Sequence, residues 1–226
     1  MKYFLTINRT INCLFIFSLA SIILKILYLD HIPELFKPGH EFGEIYSRLC
    51  LSYISSYIFY FVVVHVKKEK DKENINKFIN PKIRTAYSQW KPQLMDICKA
   101  VGEDMPSDLP EKAFIIEVFS KIDPNSQAPL IKDTQGNYAN WIEYFFYYKN
   151  RVDKFISVVT DKMPFLDSEL VRLLSELSEC EHFKMVEASV APAFRNKDLS
   201  AWASGFHKYC VKSYDLEIYA NKFHSK

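Results

Sequence analysis

Residues 49–66, LCLSYISSYIFYFVVVHV, hold no Asp, Glu, Lys or Arg, and Lys67 and Lys68 follow at once. Crossing a hydrocarbon core of about 30 Å takes about 20 apolar residues. The stretch reaches that length when residues 45–48 form its first turn at headgroup level. A second apolar run, INCLFIFSLASIILKILYL, occupies residues 11–29. The expected fold class is therefore all-α. An N-terminal two-helix transmembrane hairpin (residues 1–66, helices about 11–29 and 46–66) precedes a charged linker or helix extension (67–80) and a cytosolic helical bundle (81–226).

The basic residues set the orientation. Lys2 and Arg9 precede the first helix, Lys37 alone lies between the two, and residues 67–72 hold four lysines. Cytoplasmic flanks collect Lys and Arg, so both termini are expected on the cytoplasmic side of the membrane. A basic start before an apolar run also describes a signal peptide, with Ser18-Leu19-Ala20 as a cleavage site. The run continues to Leu29, however, which favours an uncleaved helix. Pro33, Pro38-Gly39 and Gly43 read as turns of the intervening loop. Gly39 and Gly43 have GxxxG spacing but lie outside an apolar 20-mer, so they carry no dimerisation signal.

Of 29 Lys/Arg and 27 Asp/Glu, five and four fall in residues 1–66, leaving 24 bases and 23 acids for the remainder. A domain so close to neutral has no net field to attract nucleic acid. Only five Gly occur beside 18 Phe and 14 Tyr, which argues for helices over a turn-rich β fold. Cys13, Cys50, Cys98, Cys180 and Cys210 are odd in number and widely spread, so they form no disulfide framework and fit a reducing compartment.

After Pro81, apolar residues from Ile83 to Val101 recur at helical spacing, with Pro92 placed to kink or split the run. Asp108 and Glu111, with Pro110 between them, resemble a capping box for a helix burying Phe114, Ile115, Val118 and Phe119. Residues 123–137 read as a long loop, a candidate contact surface. Trp141, Tyr144, Phe145, Tyr148, Val152, Phe155, Ile156 and Val159 form a helical stripe ended by Pro164. Asp167 is placed to cap a helix with Leu170, Leu173, Leu174 and Leu177 inward. Pro192 marks a further break. Asp198 is placed to cap a last helix that holds Trp202, Phe206, Tyr209, Cys210, Ile218 and Tyr219.

No glycine-rich phosphate loop, GxSxG elbow, HExxH or CxxC pair is present, so no enzyme, cofactor or metal site is expected. Cys180 and His182 with His207 and Cys210 come nearest to a zinc pattern. Residues two apart on a helix point about 200° from each other, so the first pair cannot converge without a break. The stripe from Trp141 to Tyr148 lacks the basic groove of a base-stacking platform and reads as packed core.

The polar residues of the two apolar helices are the candidate functional residues. Ser18, Ser21 and Lys25 share one face of the first. Arg48, Ser52, Ser55 and Ser56 share one face of the second. Small hydroxyl residues allow close approach and hydrogen bonding between helices in lipid. These faces either pack within the hairpin or line a wet path when hairpins assemble. Lys25 sits near the outer end of its helix, where it can snorkel, with Glu44 as a counter-ion.

A basic start, an apolar helix, the loop PGHEFGEIYS, the helix SYISSYIFYFVVVH, a Lys-Lys pair and a helical domain together resemble the two-helix membrane effectors of bacterial anti-phage systems, in particular the transmembrane effector of retron systems. The resemblance covers the layout of the whole chain and carries no functional residues over. It implies an abortive-infection effector that permeabilises the inner membrane, working on the lipid bilayer as a homo-oligomer. A reverse transcriptase and its RNA–DNA hybrid would hold it silent. The alternative is a membrane-anchored adaptor or sensor whose hairpin only tethers a protein-interaction domain.

Overall fold

The computed structural model describes residues 2–31, 38–189 and 196–224. Pro33, Lys37 and Pro192 lie outside them. The chain divides into two compact units, Met1–Asn74 and Ile75–Lys226. The division falls within the charged segment 67–80, which is helical throughout as part of α3, Val66–Ser88.

In the first unit, α1 (Arg9–Leu27) and α2 (Gly39–Phe59) pack against each other. Asn8 caps α1, its side chain accepting from the Thr10 N–H at 2.9 Å. Gly39 and Gly43, expected in turns, are helical. They sit past Pro38, the N-cap of α2, whose carbonyl accepts the first helical hydrogen bond from the Phe42 N–H. From Tyr60 to His65 the helix widens into a six-residue π segment, and the Val66 N–H donates to the Phe61 carbonyl five residues back. The α-helical ladder resumes in α3.

In the second unit Pro81 does not end α3, which continues to Ser88. The break comes at Gln89, before α4 (Trp90–Val101). Pro92 explains it: the ring clashes with the carbonyl four residues back, that of Ser88, while its missing N–H costs nothing in a first turn. Gly102 closes α4 at φ 75°, a left-handed conformation that glycine adopts without strain. The expected capping box at Asp108 is absent. Helix α5 starts at Lys112 and runs to Ser120 behind Glu111, which makes no side-chain cap. Ile115, Val118 and Phe119 are buried as expected, whereas Phe114 is only half-buried at the edge of the core.

The expected loop 123–137 contains instead most of an antiparallel hairpin, β1 (Gln127–Ile131) with β2 (Tyr138–Asn140), pairing Gln127 with Asn140 and Ile131 with Tyr138 across an irregular register. Asp133 organises its turn by accepting from the backbone N–H of Gln135 and Asn137. Strand β2 runs directly into α6 (Trp141–Thr160), which begins in a true capping box. The Glu143 N–H donates to the Asn140 side chain at 2.9 Å, and the Asn140 N–H donates to the Glu143 carboxylate at 3.1 Å.

Helix α7 (Ser168–Ser178) is capped by Asp167, which accepts from the Leu170 N–H at 2.9 Å. Its four expected leucines are buried. Helix α8 (Glu181–Ser189) follows, and then α9 (Ser200–His224), which packs on α4, α5, α7 and α8. The Leu199 N–H donates to the carbonyls of Phe119 and Ile122, tying the start of α9 to the end of α5. Trp202, Phe206, Tyr209 and Cys210 are fully buried; Ile218 is exposed, and Leu216 takes the inward position. The rings of Phe119, Phe145 and Phe206 meet at centroid distances of 5.2 to 6.0 Å in the middle of this core.

Asp167 also accepts a hydrogen bond from the Tyr219 hydroxyl of α9. Asp167→Ala is expected to cost about 1 kcal/mol or somewhat more, since a lost N-cap alone accounts for about that much. Urea denaturation of the variant beside the parent measures it, and an unchanged midpoint would contradict the cap's role.

Candidate functional site

Two helices, α1 and the one containing α2, are long and apolar enough to cross a membrane. Only 6 % of the apolar window of the first and 17 % of the second are buried within the protein. A core helix of a water-soluble protein would be mostly covered. Here Leu14, Ile16, Phe17, Ile23, Leu49 and Phe59 all stand exposed, far more apolar surface than scattered single residues account for.

The hairpin is antiparallel, as its cross-links show. Tyr57 OH donates to Asn12 Oδ1 at 2.6 Å and Tyr53 OH to the Ile11 carbonyl at 3.1 Å, while Ser21 and Tyr46 exchange a hydroxyl bond at 3.1 Å. The α2 side of the seam is thus Tyr46, Cys50, Tyr53 and Tyr57. Their 4-3-4 spacing is the signal that the sequence reading passed over. Phe15 stacks on Tyr57 at 4.2 Å.

The polar candidates separate into two groups. On α1, Ser18 is buried in the seam, Ser21 bonds Tyr46, and Lys25 reaches Asp30 at 3.7 Å. The Lys25 stem lies beside Gly43, where an added Cβ would meet its Cε at 3.8 Å. Glu44 is not its counter-ion: it pairs with Arg48 at 3.1 Å and with His40 at 3.7 Å. Residues four apart on one helix meet without any tertiary adjustment, so the local pair takes the carboxylate.

On α2, Arg48 is 79 % exposed and Ser52, Ser55 and Ser56 are exposed as well. A step of two residues turns a helix by about 200°, so this row lies nearly opposite Tyr46, Cys50 and Tyr53. Among the described residues the three serine hydroxyls have no hydrogen-bond partner outside their own positions.

Beyond the C-terminal end of α2 the N-terminal residues fold against the π segment. His65 is buried, and its Nε2 lies 2.8 Å from Thr6 Oγ1 and 3.0 Å from the Tyr3 carbonyl. Thr6 Oγ1 also donates to the Tyr3 carbonyl at 2.8 Å, so the three groups form one small polar cluster. Phe4 meets Tyr57 and Phe61 edge-on, and Ile7 is buried.

In the helical unit, Cys180, His182 and Cys210 are buried and do not assemble a metal site. Among the described residues no three His, Cys, Asp or Glu groups do. Burial pushes the Cys180 thiol up to about 11 and raises that of Cys210, so neither supplies thiolate at neutral pH. Burial drives His182 down to about 3. Its ring stacks on Tyr209 and meets Phe145 and Phe206 edge-on. Trp141, Tyr144 and Phe145 of the aromatic stripe are core residues.

The fold and this hairpin define a predominantly helical protein with two helices apolar enough to span a bilayer. Compared with models of protein families, with curated proteins and with solved structures, the chain matches none.

Proposed function

We propose that this chain is a bacterial inner-membrane protein with both termini in the cytoplasm, whose hairpins assemble with one another and make the bilayer leak. The observation that carries the reading is the row Arg48, Ser52, Ser55 and Ser56 on the side of α2 turned away from the hairpin seam. In hydrocarbon a hydroxyl or guanidinium finds no water, and polar side chains on spanning helices face other helices or a wet cavity. The same row on a second hairpin satisfies both copies and creates a polar-lined path. The helical unit then serves as the regulatory part, silenced as the retron resemblance implies by a reverse transcriptase with its RNA–DNA hybrid.

The test is expression of the whole chain in bacteria with dye entry and membrane potential followed over time. Leakage is expected for the parent. Replacing Ser52, Ser55 and Ser56 by Leu should leave membrane insertion intact and abolish leakage. Leakage unchanged by that substitution overturns the role of the row. Membranes that stay intact at high expression, including during phage challenge with neighbouring genes present, favour the adaptor that only tethers a partner.

A further inference from the structure

The helical unit carries a cleft unrelated to the hairpin. It has a volume of about 580 Å3 and is bounded by Asp96, Lys99 and Ala100 of α4, Pro129 of β1, Tyr138 of β2 and Trp141 of α6. That volume lies within the ordinary range of small-molecule sites, roughly 300 to 1,000 Å3.

Its charges are arranged unusually. Asp96 and Lys99 stand one turn apart on the same face of α4, yet neither belongs to an ion pair among the described residues. One oxygen of Asp96, Oδ2, accepts from the Tyr144 hydroxyl at 2.5 Å. That bond holds the carboxylate in place and leaves its second oxygen for another donor. Lys99 is exposed. Residues three apart on a helix have Cβ atoms about 5 to 6 Å from each other. A ligand bearing an ammonium and a carboxylate on one carbon therefore reaches both without distortion. The rest of the wall is formed by Gln127, Ala128, Pro129, Tyr138 and Trp141, apolar apart from the Gln127 amide and the tyrosine hydroxyl.

We propose that this cleft binds a free α-amino acid with an apolar side chain. The ammonium group donates to Asp96, the carboxylate accepts from Lys99, and the side chain lies against the exposed Pro129 and Tyr138, above the buried Trp141. The proposal stands independently of the membrane reading.

The probe is L-phenylalanine, titrated calorimetrically into the full-length protein in detergent micelles. Two analogues accompany it: N-acetyl-L-phenylalanine, which lacks the ammonium, and phenethylamine, which lacks the carboxylate. Saturable binding of L-phenylalanine is expected, with no binding of the acetyl derivative and weaker binding of the amine. Asp96→Asn keeps an acceptor for Tyr144 and should weaken binding roughly tenfold or more, as loss of a charged hydrogen bond does. Lys99→Met, on an exposed position, should weaken it several-fold. Circular dichroism confirms that both variants keep the fold. No heat from L-phenylalanine at millimolar concentration overturns the proposal, as does binding that Asp96→Asn leaves unchanged or binding of the acetyl derivative equal to that of the parent amino acid.

Discussion

Lowering the pH from 6.5 to 5 is expected to cost the folded helical unit about 2 kcal/mol through His182 alone, at about 1.4 kcal/mol per pH unit. The imidazole is wholly buried, and burial holds it unprotonated down to about 3. In the unfolded chain the same group takes up a proton at about 6.5. Between these values the unfolded state binds a proton that the folded state refuses. The contribution is therefore complete above 6.5 and is lost as the pH falls towards 3. Guanidinium denaturation of the full-length protein at pH 7 and pH 5, beside His182→Leu, isolates the effect because all other titrating groups are shared. The parent should lose about 2 kcal/mol more than the variant. Equal losses would mean that His182 meets solvent in the folded state.

Gly205→Val should cost about 3 kcal/mol, the upper end for overpacking a filled interior. Helix α9 passes so close to α8 that a Cβ at position 205 would lie 3.1 Å from the His182 backbone nitrogen, 3.2 Å from its Cα and 3.3 Å from Met185 Sδ. Two of these three atoms are backbone and cannot swing aside. Gly205→Ala gives the sharper test because its sign is at issue. In an open helix the change would stabilise by roughly 1 kcal/mol; here it should destabilise. A stabilised alanine variant would show that α8 and α9 can separate freely.

The helical unit was legible wherever apolar residues recurred at three and four with a capping residue in front. The leucines of α7 behind Asp167 and the stripe of α6 are the plainest instances. The β hairpin was not, because its strands are short, Pro129 interrupts the first, and only Ala128 and Ala139 are buried. No alternation of large apolar residues betrays such strands. Asp108 misled because an Asp followed three residues later by Glu occurs without a cap. The working box at Asn140 and Glu143 has equally ordinary spacing, and the turn before it decides the difference.

The hairpin was legible as two apolar runs but not as a pair of faces. Charge draws the eye to Lys25, Glu44 and Arg48, whereas the seam is set by tyrosines that are apolar along the ring and polar at the tip. The partner of Lys25 depended on competition. Glu44 has Arg48 four residues along its own helix, which leaves Asp30 for the lysine.

The π segment makes the first unit a matter of phase. A turn that spends one residue beyond the α-helical count offsets the faces of α2 from those of residues 66–74, by about 100° for each extra residue. The inward placement of His65 and the reach of Glu73 towards the Tyr3 hydroxyl, 3.4 Å away, both depend on that offset. Loss of a single codon among residues 62–64 would leave composition, hydrophobicity and helix content almost unchanged. It would nevertheless rotate every side chain beyond it out of step with the N-terminal segment. In this protein the number of residues between the seam tyrosines and His65 therefore carries information that their identity does not.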